Sequence, residues 1–162
     1  MKIIFDTCVL YPTVLRKILL GVAKEGLYKP VWSTQILDEW IHVTRKKNPI
    51  GQDTILAQVA LLKFQWPNSL AKDYDFDTRS LWLPDENDVH VLASAISSDT
   101  EAILTLNRKD FPKKILKDHG IVRYSPDEML KSLWIDNSEI ISRVVENEFE
   151  SAKQNLERKL TL

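Results

Sequence analysis

Strand-like and helix-like segments alternate along this chain, and the alternation restricts what it can fold into. Lys2–Phe5 opens the sequence with an unbroken apolar run, Ile3-Ile4-Phe5, which is how a strand buried on both faces reads. Ala102–Leu106 reads as a second buried-type strand, and Ile121–Tyr124, after Gly120, as a third strand. Tyr28–Trp32 is shorter and broken by Pro30, and reads as a short strand or extended link. Amphipathic helical segments fill the intervals. Such alternation favours a parallel sheet with helices on both faces. The expected fold class is therefore α/β, a three-layer arrangement of a parallel central sheet flanked by helices, with a long C-terminal helix.

The helices are legible from their apolar spacing. Leu15, Ile18, Leu19 and Val22 form one stripe on a helix expected from a Thr13 cap to about Glu25, with Gly26 as its stop. Arg16, Lys17 and Lys24 lie off that stripe. Ser33 opens a second helix whose inner stripe is Ile36, Trp40 and Val43. Its C-terminal end carries Arg45, Lys46, Lys47, Asn48 and Pro49, where cations suit the helix dipole and can also face a nucleic acid. Asp53 is the expected cap of a third helix reaching Phe64, with Leu56, Val59, Ala60 and Leu62 partly periodic. Asn68–Leu83 has no clear period and reads as irregular, with at most one short element. Its Asp73-x-Asp75-x-Asp77 spacing lacks the glycine and closing glutamate of a calcium loop. Val91, Leu92 and Ala95 make the inner stripe of the next helix, which places His90 off the stripe and toward the surface. Ser125 and Glu128 form a capping box for a helix to about Leu133. Asn137–Leu160 reads as a long helix with the stripe Ile141, Val145, Phe149, Ala152, Leu156 and Leu160, expected to pack on the domain or on a second subunit.

Composition narrows the class. The chain of 162 residues suits one domain, and its single cysteine, Cys8, allows neither an internal disulfide nor a zinc cluster. A lone thiol fits a reducing, cytoplasmic setting. No apolar segment reads as a signal peptide or a membrane span. The net charge of −1 gives no global attraction to nucleic acid, so any basic surface must be local.

The chemistry lies in the acids. Asp6 follows the first strand directly, either as an Asx-type turn or as an acid at the C-terminal edge of the sheet, where α/β folds place their sites. Glu39 shares the apolar face of its helix, so it is either paired or bound there, or reaches solvent from the stripe's edge. Asp85 has the position of an N-cap, whereas Asp88 points along the buried stripe. Asp110 follows the strand Ala102–Leu106, either capping the next helix ahead of Pro112 or standing as another acid at the sheet edge. In a parallel sheet Asp6, Glu39, Asp88 and Asp110 can reach one crevice. Two carboxylates about 4 Å apart repel by roughly 4 kcal/mol at an effective dielectric near 20, so such a cluster calls for a cation. All-oxygen ligands suit Mg²⁺ or Mn²⁺.

Five stretches, FDTCVLYPTVLRKILL, GLYKPVWSTQILDEW, LPDENDVHVLASAI, ILTLNRKDFP and YSPDEML, occur in an order that resembles the PIN domain, and within it the VapC-like toxin ribonucleases of toxin–antitoxin pairs. The resemblance covers about residues 2–130. It implies a PIN-like nuclease domain over residues 1–134, with residues 137–162 a C-terminal helical extension. It implies metal-dependent cleavage of single-stranded RNA, with Asp6 and Asp88 as direct metal ligands and Glu39 and Asp110 completing the site, directly or through water. Thr105 and Asn107 match polar positions beside the fourth acid, and Asp85 is an alternative to Asp88. Arg45, Lys46, Arg108 and Lys109 are the candidate RNA contacts. Cys8 departs from the pattern, where this subfamily often carries asparagine. A cognate antitoxin and a homodimer are the implied partners.

Other classes fit less well. A receiver-like signalling module usually carries paired acids after its first strand, and Phe5-Asp6-Thr7 carries one. A two-aspartate phosphatase needs an acid where Cys8 stands. A PIN-type nuclease of RNA or DNA maintenance would share the chemistry and differ in its biology.

Overall fold

A computed structural model describes residues 1–47 and 52–160. Four parallel strands form one sheet in the order β2-β1-β3-β4, with β1 at Lys2–Phe5, β2 at Lys29–Val31, β3 at Ala102–Leu104 and β4 at Val122–Tyr124. Ile3, Ile4 and Phe5 are wholly buried, as are Ala102, Ile103 and Leu104 on the adjoining strand. Apart from Lys2 at the start of β1, the two central strands are apolar because helices cover both faces, and every parallel crossover carries one or more helices. The register pairs Phe5 with Leu104, so both chains leave the same edge of the sheet side by side.

The helices are α1 (Thr7–Leu10), α2 (Thr13–Lys24), α3 (Thr34–Lys47), α4 (Gln52–Gln65), α5 (Val89–Ser97), α6 (Lys113–Asp118) and α7 (Pro126–Leu160). Their termini follow sequence chemistry. The Ser33 hydroxyl accepts the backbone N–H of Ile36 at the start of α3. Ser125 and Glu128 form a reciprocal capping box at the start of α7, with bonds of 3.2 and 2.9 Å. Gly26 and Gly120 take φ of +82° and +69° just past α2 and α6, a left-handed turn that a side chain would oppose. The irregular stretch after α4 contains one isolated bridge, Trp32 with Leu70, and a 3₁₀ turn at Thr78–Ser80.

Several local expectations are corrected. Pro12, not Thr13, occupies the N-cap of α2, because α1 ends only two residues earlier and fixes the chain direction there. Arg16 is buried rather than solvated. Its guanidinium donates to the carbonyl oxygens of Leu10 and Tyr11 and to Gln58, and lies 4.5 Å over the Trp40 ring. Burial lowers its pKa to about 10, which leaves it charged at neutral pH, and the orphan carbonyls ending α1 supply its partners. The buried stripe of α4 is Ile55, Val59 and Leu62, while Leu56 is exposed. The Asp53 cap falls at the edge of the described residues, its side chain outside them, and Asn48 and Pro49 lie outside them as well.

The two helices expected after Ser125 form one helical run, interrupted at Asn137, where φ is −136° and ψ is 33°. The Asn137 side-chain amide donates to the Leu133 carbonyl across the break. Beyond it Ile141 and Val144 are buried against the domain, whereas Phe149 and Leu156 are exposed, and the Leu160 side chain lies outside the described residues. Gly21 of α2 makes the close approach possible: a Cβ there would stand 2.7 Å from Val144 Cγ1.

Gly21→Ala should therefore destabilise the protein by about 1–2 kcal/mol through overpacking, despite alanine's better helix propensity. In a Val144→Ala background the same change should be neutral or stabilising. Denaturant melts of the four proteins in this cycle measure the sign reversal.

Candidate metal centre at the C-terminal edge of the sheet

Asp6 leaves β1 at the centre of the sheet and is buried. Its backbone N–H continues the ladder to Leu104, and its Oδ2 accepts the Thr105 hydroxyl at 2.6 Å and the Cys8 thiol at 3.0 Å. Thr105 in turn accepts the N–H of Asn107. Burial, and then the Asp6 charge, push the Cys8 thiol up to about 12, so it stays protonated and serves as a donor. The Leu106 N–H donates to the Cys8 sulfur at 3.1 Å. Cys8 thus performs an orienting role where an amide side chain would otherwise stand.

Glu39 projects from α3 across the cleft. Its Oε2 accepts the Thr7 hydroxyl at 2.8 Å, and its Oε1 lies 2.7 Å from His90 Nε2. Burial opposes its ionisation, but the close His90 contact, the Thr7 hydrogen bond and the His90 charge outweigh it, and its pKa lies below the ordinary carboxylate value. His90 is buried, which corrects its expected surface position. The residues from His90 to Ala95 are all buried, so α5 has no solvent face in that turn and a single-stripe reading does not apply. Neither His90 ring nitrogen meets hydrogen-bond geometry among the described residues, so Nε2 faces Glu39 Oε1 as a close ion-pair contact rather than a well-aligned bond.

The remaining acids converge at the start of α5. Asp85 caps the 3₁₀ turn Glu86–Asp88 by accepting from the N–H and the side-chain amide of Asn87, each at 2.9 Å. One carboxylate oxygen from each of Asp85, Asp88 and Asp110 lies within 4.8 Å of the other two. Asp110 does not cap α6, whose N-cap is Pro112; it accepts the side-chain amide of Asn107 instead. Asp88 Oδ2 is buried and has no hydrogen-bond partner among the described residues. Burial, then the charges of Asp6, Asp85 and Asp110, push the Asp88 carboxyl up to about 6, with His90 opposing them. Asp85 enters this trio through three-dimensional convergence, which its capping position in the sequence does not reveal.

A cleft of about 770 Å³ opens over these groups, lined among others by Asp6, Glu39, Asp88 and Asn107. Its rim carries His42, Tyr11 and Lys47, whose ammonium lies 4.6 Å over the Tyr11 ring. Sequence reasoning did not single out Tyr11 or His42, and named Lys47 only within the cationic cluster that closes α3. Arg45 and Lys46 are exposed in the last turn of α3, and Lys109 is exposed beside Asp110. Arg108 is engaged by the α7 capping box, 3.4 Å from both Glu128 Oε1 and Ser125 Oγ.

A family model described as the PIN domain matches residues 2–109. No curated protein and no solved structure matches the chain. PIN domains are generally metal-dependent nucleases, a class to which a receiver-like module does not belong. The side chains fit a divalent cation: three carboxylates meet, and a buried oxygen of one lacks any partner. The donors are all oxygen, as Mg²⁺ and Mn²⁺ prefer.

The Asp88 shift carries a sign. Its folded pKa lies above its unfolded one, so the folded state binds more protons between them, and stability falls as pH rises from about 4 through about 6. Asp88→Asn should therefore raise the melting temperature of the metal-free protein at pH 7.5 and leave it nearly unchanged at pH 4. Added Mg²⁺ should raise that of the wild type at pH 7.5 and do little for the variant. Thermal melts in EDTA and in Mg²⁺ at the two pH values read both effects.

Proposed function

The chain belongs to the PIN-domain family, and on that footing we propose that it is a Mg²⁺- or Mn²⁺-dependent endoribonuclease acting on single-stranded RNA. The observation that carries the reading is the meeting of Asp85, Asp88 and Asp110, with Asp6 close enough for its charge to raise the Asp88 pKa. Asp85, Asp88 and Asp110, whose oxygens converge, would hold the ion, with Asp6 approaching from β1 and Glu39 facing from α3. An ion bound there supplies Lewis-acid activation of water for in-line attack on phosphorus and offsets charge on the leaving oxygen.

The chain's own side chains do the positioning. Thr105 and Cys8 hold the Asp6 carboxylate in one orientation, and Asn107 does the same for Asp110. Thr7 and His90 fix both oxygens of Glu39 and keep it ionised. Lys47 and His42 stand at the rim where a phosphate enters, with Arg45, Lys46 and Lys109 exposed nearby and Arg108 held by Glu128. The products would carry 5′-phosphate and 3′-hydroxyl ends. In biology, the reading extends to the toxin component of a toxin–antitoxin pair, cytoplasmic and held by a cognate antitoxin. The exposed Phe149 and Leu156 of α7 are the surface offered for a homodimer. Among the described residues no helix is long and apolar enough to cross a membrane.

Labelled single-stranded RNA should be cut in Mg²⁺ or Mn²⁺ and left intact in EDTA. Asp6→Asn and Asp88→Asn should each reduce cutting to the EDTA level while the circular dichroism spectrum is retained. Full activity in both variants overturns the site, and absence of cutting together with absence of Mg²⁺ and Mn²⁺ binding by calorimetry overturns the nuclease reading. Induced expression in a bacterial host should arrest growth with the wild type and not with Asp88→Asn.

A further inference from the structure

The acid cleft does not end at Glu39. A second groove, about 630 Å³, runs along the other side of Glu39 and His90 and shares Gln35 and Glu39 with the first. Its wall presents the indole of Trp82, which is 64% exposed, together with Tyr74. Tyr74 is itself braced by Phe76, the ring centroids 5.7 Å apart. An isolated exposed apolar side chain needs no explanation. Here the indole lines a concave groove that Tyr74 also lines, three residues before Asp85 in the chain, and the groove shares Gln35 and Glu39 with the acid cleft.

We propose that this groove is a nucleobase subsite for the single-stranded RNA substrate, with the indole of Trp82 as its stacking platform. The proposal rests on the nuclease reading and adds where a base flanking the cut is held. Charge selects the base over the backbone. Glu39, Glu86 and His90 line the groove; His90 stands against Glu39, and Arg79 is bound by both oxygens of Asp77. A phosphate there would meet the Glu86 carboxylate while the lining cations among the described residues are already paired, whereas a neutral base meets an aromatic face and the Gln35 amide. A base paired within a duplex has both faces covered by its neighbours, so only an unstacked strand can use the platform. Stacking on an indole is tolerant of base identity, so the subsite sets register rather than sequence.

The test compares wild type, Trp82→Ala and Trp82→Phe. Binding of a fluorescein-labelled oligoribonucleotide of about eight nucleotides is read by anisotropy in EDTA, where no cutting occurs. Initial rates are then measured in Mg²⁺. Trp82→Ala should weaken binding and raise KM about ten-fold with kcat retained, and Trp82→Phe should recover most of the loss. A substrate with one abasic nucleotide at the flanking position should be handled equally by wild type and Trp82→Ala. Melting temperature should not change, because the side chain is largely exposed. Unchanged affinity and KM in Trp82→Ala, with RNA still bound and cut by wild type, overturns the subsite alone and is also the outcome if the groove serves a protein partner. A wild type that neither binds nor cuts RNA overturns the nuclease reading and this proposal together.

Discussion

The parallel pairing of β1 with β3 is the constraint on which the site depends. It places Phe5 opposite Leu104, so the next residues to leave the sheet are Asp6 and Thr105, and the ladder bond from the Asp6 N–H to the Leu104 carbonyl holds them there. The hydrogen bond between their side chains, 2.6 Å long, is a consequence of that register. A one-residue slip would turn Thr105 to the other face and leave the buried Asp6 carboxylate with only the weaker Cys8 thiol donor, at a cost comparable to an unmade charged hydrogen bond. The apolar interior of the sheet and the polar edge are thus one design: the first enforces the register and the second uses it.

Around that fixed acid the other carboxylates are held in two different ways. Glu39 accepts the Thr7 hydroxyl at one oxygen and meets His90 Nε2 at 2.7 Å at the other, and both contacts stabilise it as an anion. Asp88 has an oxygen without a partner and is destabilised as an anion by burial and by three neighbouring acids. The folded state therefore carries, in one cleft, a wall whose charge is already balanced and a wall whose charge is not. Functional sites characteristically retain such uncompensated groups at the expense of stability, because a cation binds best where the protein has left the charge unanswered.

Much of this was legible in the sequence. The strands announced themselves as short apolar runs between amphipathic helices, and Asp6, Asp88 and Asp110 stood out because each abuts such an element. What was not legible shares a physical cause, namely burial on more than one side. His90 falls off the stripe of α5, but that helix is enclosed on several faces, so a polar residue can be buried if a partner waits, and Glu39 is that partner. Arg16 likewise falls off the stripe of α2 and is buried because α1 ends beneath it with unmet carbonyls. Stripe analysis assumes one buried face; long-range polar partners are what break it. Asp85 was legible in the sequence only as a cap and as an alternative to Asp88; its capping bonds account for it locally and do not reveal that both acids approach Asp110, twenty-five positions away from Asp85 in the chain.

The near-neutral charge of the chain bears on how a polyanion could be held at all. The cations closing α3, Arg45, Lys46 and Lys47, sit where carbonyl dipoles at the helix end favour positive charge, so part of their field is already answered by their own helix. Arg108 and Arg79 are similarly engaged, by Glu128 and Asp77. Few cations near the cleft are therefore left for phosphates, and affinity built on counterion release would be modest. Contacts that do not depend on net charge, a bridged cation among the acids and an aromatic face beside them, are the ones this architecture can offer in greater strength. They act at close range, which fits the proposed positioning of one phosphodiester rather than a grip on a long stretch of backbone.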